Sequence, residues 1–136
     1  MKMKKLIVSL VCGAVFYCLC ADSAWALPPF KKAFDLKFVK KSGNDALIAE
    51  FKKKKCFTCH IKGKKKTHHN AFGEELEDLI EGNAKKRLKA AREAGNAKDE
   101  KAKLLKELDA AFDKVIKMKA ESGQTYEEMF KEGKLP

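Results

Sequence analysis

Apolar positions recur along most of this chain at intervals of three and four, the repeat of one face of a helix. Leu47, Ile48 and Phe51 predict a helix that starts at Asp45 behind the N-cap Asn44 and runs into Cys56. Phe72, Leu76, Leu79 and Ile80 predict a short helix through Gly73 to Glu81, capped by Asn70 and closed by Gly82. Glu74 and Glu75 stand in its first turn, where the helix dipole favours negative charge. A further helix is expected from Asn83 to about Ala94, with a break at Gly95-Asn96. The longest should span Ala97 to about Ala120, with Leu104, Leu105, Leu108, Ala111, Phe112, Val115 and Ile116 on its apolar face and Gly123 at its end. Thr125 and Glu128 have the spacing of a capping box for a last short helix holding Tyr126, Met129 and Phe130. Ahead of these, Leu27-Pro28-Pro29 reads as extended chain. Phe30, Phe34, Leu36, Phe38 and Val39 mix periodicities. They suggest an irregular arm, or a short strand over Phe34, Leu36 and Phe38. The sum is an all-α domain of about four to five helices with an irregular N-terminal arm.

Residues 1–26 have a different pattern, that of a secretory signal peptide. Lys2, Lys4 and Lys5 form a charged head, Leu6 to Cys20 an apolar run, and Ala24-Trp25-Ala26 a small-residue cleavage site. The run is short for a membrane span, and no later stretch is apolar enough to stop transfer. A retained N-terminal anchor is the alternative. The residues before Cys12, Cys18 and Cys20 do not form a lipoprotein box, because bulky Tyr17 and Leu19 stand where a small residue belongs. The expected organisation is a signal over 1–26 and one domain over 27–136. The mature protein would be periplasmic or otherwise exported, with no integral membrane span.

Cleavage changes the cysteine count. The chain has five cysteines, and Cys12, Cys18 and Cys20 leave with the signal. Cys56 and Cys59 remain, three apart, and an exported protein with only these two has no disulfide framework to build. They belong to Cys56-Phe57-Thr58-Cys59-His60, a C-x-x-C-H sequence of the kind that attaches c-type haem. Two thiols on one turn can form thioethers with the two vinyl groups of a porphyrin, and the next residue, His60, can offer iron an imidazole nitrogen. Phe57 and Thr58 look like filler. Zinc is the main rival, using both cysteines with His60, His68 or His69. Structural zinc wants four ligands, usually in two separated pairs, and adjacent His68 and His69 can hardly both face one ion. A thioredoxin-like dithiol would need a βαβ pattern that is absent here.

Charge adds a partner. The full chain carries 30 basic and 19 acidic residues, net +11. Removing residues 1–26 takes three lysines and one aspartate, leaving 110 residues with net charge +9. Such a balance invites a nucleic-acid reading. Export and the lack of interleaved exposed aromatics argue against nucleic acid. Lys52, Lys53, Lys54 and Lys55 lead into the motif, and Lys62, Lys64, Lys65 and Lys66 follow it. Most would be a solvated charge run. Placed around a haem, they would also steer acidic redox partner proteins.

An exported domain with a helix before C-x-x-C-H in its first third, and helices after it, resembles the monohaem class I-like c-type cytochromes. The four-helix-bundle cytochromes c′ carry the motif near the C-terminus, whereas 76 residues follow His60 here. The resemblance implies a small cytochrome c-like domain around one covalent haem c, held by Cys56 and Cys59 with His60 as proximal iron ligand. Its function would be one-electron transfer without catalysis of a substrate reaction. The chain departs from the family in three places. The family usually has a glycine and an aromatic in fixed places ahead of the first cysteine, where the first and last helices cross. Here Ile48 stands eight and Phe51 five residues before Cys56, so a different crossing is expected. The tryptophan near a propionate is missing, and so is a proline-flanked methionine loop. The distal ligand is therefore open among Met118, His68 and His69, with Met129 better read as core. An open-site haem protein, such as a small peroxidase or gas sensor, and a haem-bearing subunit of a larger redox complex are the alternative functions.

Overall fold

The computed structural model describes residues 28–136. The proposed signal over 1–26, and Leu27, lie outside the described residues. Those described fold as an all-α unit of six α-helices, with two short turns of other helical type and no strand among them.

The first departure from expectation is at the start. Pro28 and Pro29 open a helix, α1 (Pro28–Phe34), instead of an extended arm. The physical reason is positional: the first N–H groups of a helix have no intrahelical partner, so a proline there removes nothing. Neither the irregular arm nor the short strand forms. The chain continues into a π-helical turn, Asp35–Val39, closed by Lys40 N–H donating to the Asp35 carbonyl at 2.8 Å. This wider winding puts Phe34 and Val39, five apart, both in the core and leaves Leu36 44 % exposed. From the same turn Lys37 reaches Asp109 at 2.7 Å and Asp113 at 2.8 Å, fastening the N-terminal segment to a later helix.

Asn44 caps α2 (Asp45–Lys54) as its sequence position predicts, accepting from the N–H groups of Ala46 and Leu47. Its amide also donates to the Lys131 carbonyl at 2.9 Å, so one side chain joins the start of α2 to the end of the last helix. α2 does not run through the motif. It stops at Lys54, and Lys55, a non-glycine residue at φ 50°, turns the backbone into a 3-10 segment, Lys55–Thr58. After a loop come α3 (Ala71–Asp78), α4 (Ala84–Glu93) and α5 (Ala97–Val115), with Asn70 and Asn83 as N-caps of α3 and α4.

α5 ends at Val115, earlier than the expected Ala120. The returning chain supplies the reason. Tyr126 N–H donates to Met118 O at 3.1 Å, Glu127 N–H to Ile116 O at 2.8 Å, and Ala120 N–H to Gln124 O at 2.8 Å. Backbone groups that would have extended the helix are satisfied by this hairpin-like turn instead. It delivers α6 (Tyr126–Lys131), whose Thr125/Glu128 capping box makes both predicted bonds.

Aromatic rings fill the interior. Phe34 is 2 % exposed and lies with ring centroids 5.1–5.9 Å from Phe38, Phe51, Phe72, Phe112 and Phe130. The stripes read from the sequence supply the rest: Leu47, Leu76, Ile80, Leu104, Leu108, Ala111 and Val115 are buried. No helix among the described residues is long and apolar enough to cross a membrane.

Candidate functional site

The C-x-x-C-H sequence occupies the 3-10 turn that follows α2 and the residues just after it. The turn closes with the N–H groups of Cys59 and His60 both donating to the Cys56 carbonyl, at 3.3 and 3.2 Å. Thr58 is not filler. It is buried, its hydroxyl donates to the Lys55 carbonyl at 2.9 Å, and its own carbonyl accepts from Asn70 Nδ2 at 3.0 Å. Phe57 is 38 % exposed, an apolar ring left on the surface beside the cysteines.

From His60 the chain runs out through Gly63 and returns antiparallel to itself. Ile61 N–H donates to His68 O at 3.2 Å, and Asn70 N–H donates to Cys59 O at 3.1 Å. These two bonds flank the directly opposed residues His60 and His69. In such a non-hydrogen-bonded pair the two side chains leave the same side of the backbone and approach closely. The imidazole centroids are 4.7 Å apart, with the rings tilted by 33°. His69 Nδ1 is in turn paired with Glu77 Oε2 at 2.9 Å, an anchor from the last turn of α3.

The start of α3 is seated directly on the motif. Asn70 Oδ1 accepts from Gly73 N–H at 2.9 Å while the same side chain donates to Thr58 O. A Cβ on Gly73 would overlap the Cys59 carbonyl and press on His69 Cβ, so only glycine allows this approach. Sequence reasoning identified Asn70 as a cap but not as a link to the motif, and missed Gly73 and Glu77. A glycine in the first turn of an amphipathic helix, where it costs about 1 kcal/mol against alanine, was the available signal of a close contact.

Both motif thiols are free. Burial, with a smaller contribution from Cys56, pushes the Cys59 thiol up to about 12, so it stays neutral near pH 7. His60 is held below the usual imidazole pKa, first by desolvation and then by His69 and Lys66; the His68 carbonyl and Glu77 oppose the shift. Its ring is therefore neutral at pH 7. The His68 carbonyl does not reach hydrogen-bonding geometry with Nδ1, which is buried and has no partner among the described residues. A buried nitrogen without a partner is costly, and coordination of a Lewis acid is one way to satisfy such a ring. Two free thiols and a neutral imidazole on one turn are the donors that a covalently attached haem would use. Among the described residues no three His, Cys, Asp or Glu side chains converge to hold a metal ion.

The predicted distal ligands are scattered. His68 is exposed and contributes its backbone to the return loop. His69 touches His60. Met118 lies in the turn after α5, half-buried against the hydrophobic core, as does Met129 in α6. The lysines also divide. Lys54 donates to the backbone oxygens of Leu135 and Pro136 at 2.8 and 2.9 Å and is thereby removed from the set expected to meet a partner. Lys52, Lys55, Lys62, Lys64, Lys65 and Lys66 are exposed, and none forms an ion pair among the described residues. A cavity of about 340 Å³, floored by Phe38, Leu47, Ile116 and Phe130, lies at the other end of α2 and includes no motif residue. No family model, curated protein or solved structure matches the chain.

Proposed function

We propose that the chain is an exported monohaem c-type cytochrome that carries single electrons between protein partners. Cys56 and Cys59 would hold the porphyrin through thioethers, and His60 would be the proximal ligand. The bound group would supply a metal centre that alternates between ferric and ferrous states. The observation that carries this reading is the state of the C-x-x-C-H residues: two free thiols on one turn, Cys59 kept neutral, and a neutral His60 imidazole with a buried, unpartnered nitrogen.

The chain's own residues have three tasks in this reading. The turn over Lys55–Thr58 spaces the thiols, the bonds from Asn70 and the close seat of Gly73 hold that turn, and the exposed lysines raise the local concentration of acidic partners. The test is direct. The protein is expressed with a c-type haem maturation system, denatured, and extracted with acidified organic solvent. Colour that stays on the polypeptide, and is lost in a Cys56→Ala, Cys59→Ala double variant, is the expected result. Zinc in place of haem, or colour that extracts, defeats the proposal.

An open-site haem protein is the second reading. It is favoured by the packing of Met118 on the core and by the exit of His60 and His69 from one side of their bridge. Carbon monoxide binding by the ferrous protein separates it from a six-coordinate carrier.

A further inference from the structure

His69 stands where a sequence reading offers it as a second axial ligand, and the geometry points to a different task. Axial ligands approach iron from opposite faces of a planar macrocycle. His60 and His69 are directly opposed residues of an antiparallel bridge, with the flanking bonds Ile61 N–H to His68 O and Asn70 N–H to Cys59 O closed at 3.2 and 3.1 Å. Side chains of such a pair leave the same side of the backbone. Their rings already lie against one another with centroids 4.7 Å apart, so no macrocycle passes between them.

We infer that His69 is a positioning residue for His60: its ring, anchored by Glu77, packs against the His60 imidazole and fixes the rotation of that ring about its bond to the chain. This inference rests on the haem reading above. Three observations make the device rigid. The Glu77 carboxylate holds His69 Nδ1 at 2.9 Å. The residue after His69, Asn70, is tied to Thr58 and Cys59 on the motif side. Gly73 brings α3 so close that a Cβ there would press on His69 Cβ. A ring held from the side in this way is restricted in its plane, the kind of outer-shell support that orients a metal-bound histidine.

The plane of an axial imidazole sets the in-plane asymmetry of a low-spin ferric haem, and that asymmetry is a spectroscopic observable. The experiment uses the full mature protein carrying covalent haem, with His69→Ala, His69→Phe and Glu77→Gln variants. Each is read as the ferric cyanide adduct by the spread of its paramagnetically shifted haem methyl proton resonances. Cyanide is cylindrically symmetric, so the spread reports the proximal ring alone. The native proteins are read in parallel for spin state and for carbon monoxide binding, and circular dichroism checks helix content.

Expected is that His69→Ala keeps its covalent haem, spin state and carbon monoxide behaviour but narrows or broadens the methyl spread. His69→Phe, which restores a flat neighbour, should recover the parent spectrum, and Glu77→Gln should fall between. A His69→Ala protein that becomes high-spin and newly binds carbon monoxide would make His69 a ligand and overturn the inference. An unchanged methyl spread in His69→Ala would also overturn it. A colourless parent polypeptide defeats the haem reading itself, an outcome distinct from either. Loss of helix content in His69→Ala moves the decision to the comparison of His69→Phe with Glu77→Gln. A parent-like spectrum in both would then overturn it, while a shift in Glu77→Gln alone would uphold it.

Discussion

Around α5, basic side chains meet carboxylates two at a time. Arg87 on α4 contacts Glu100 at 2.7 Å and Glu107 at 2.7 and 2.9 Å, and also donates to the Glu81 carbonyl at 2.6 Å. Lys37 is matched in the same manner to Asp109 and Asp113. Around the Cys56–His69 loop the lysines Lys52, Lys55, Lys62, Lys64, Lys65 and Lys66 meet no carboxylate among the described residues. The difference separates two uses of charge in one small molecule. Where side chains are four-fifths covered, as at Arg87, the pair fixes one helix against another. Where they face water with no partner, they add nothing to the fold and act on whatever approaches from outside. The second region also lies beside an exposed Phe57 and the two free thiols.

The largest effect should come from the ring shared by both regions. Phe34 touches Phe51 of the helix before the motif, Phe72 of α3, Phe112 of α5 and Phe130 of α6. Phe34→Ala should lower stability by about 3–5 kcal/mol, measured by urea unfolding. A loss under about 1 kcal/mol would mean that the regions are not joined through this cluster.

Gly73→Ala comes next and breaks only the motif side. The added Cβ meets backbone, which cannot rotate away, so a loss of about 1–3 kcal/mol is expected and, on the proposed haem reading, reduced loading with it. Gly43→Ala makes a useful contrast. That glycine, unlike Gly73, sits at a positive φ of 62° and has nothing within 4 Å, so any loss there is backbone strain and should spare the motif.

Arg87→Met tests the matched charges. Its pairs lie between the surface and buried cases, and about 1–2 kcal/mol should be lost at pH 7. The Arg87 guanidinium holds the Glu107 carboxyl below its usual pKa. A carboxyl depressed in the folded state contributes stability above its unfolded pKa, about 4.3, and loses it as pH falls through the folded value. Acid denaturation below about pH 4.3 should therefore be shallower in Arg87→Met than in the parent. Equal slopes would show that the pair is screened.

The smallest change in stability is expected where charge is unmatched. Replacing Lys62, Lys64, Lys65 and Lys66 together by Gln should move the unfolding free energy by no more than about 0.5 kcal/mol. The same variant should lose most of the ionic-strength dependence of electron transfer to an acidic protein acceptor, followed by stopped-flow absorbance. If salt dependence persists, other lysines carry the encounter.

Much of this was legible in the residues themselves. Helix periodicity and capping chemistry are local, so the start of α3 at its Asn70 cap, the place of α4, the capping box of α6 and the core stripe of α5 follow from spacing alone. By contrast, α3 stops at Asp78, short of the expected Glu81, and the Asn83 cap was not read. The C-x-x-C-H sequence is equally local, because two thiols and an imidazole on one turn are a property of five consecutive residues. Other features depended on chain distant in sequence. Where α5 stops depended on hydrogen bonds with residues 124–127. The pairing of His60 with His69 depended on the return of the loop, and the seat of α3 on Cys59 depended on the missing side chain of Gly73. Periodicity shows which face a helix buries, but the neighbour it meets is set when segments far apart in sequence compete for the same backbone groups and the same interior volume.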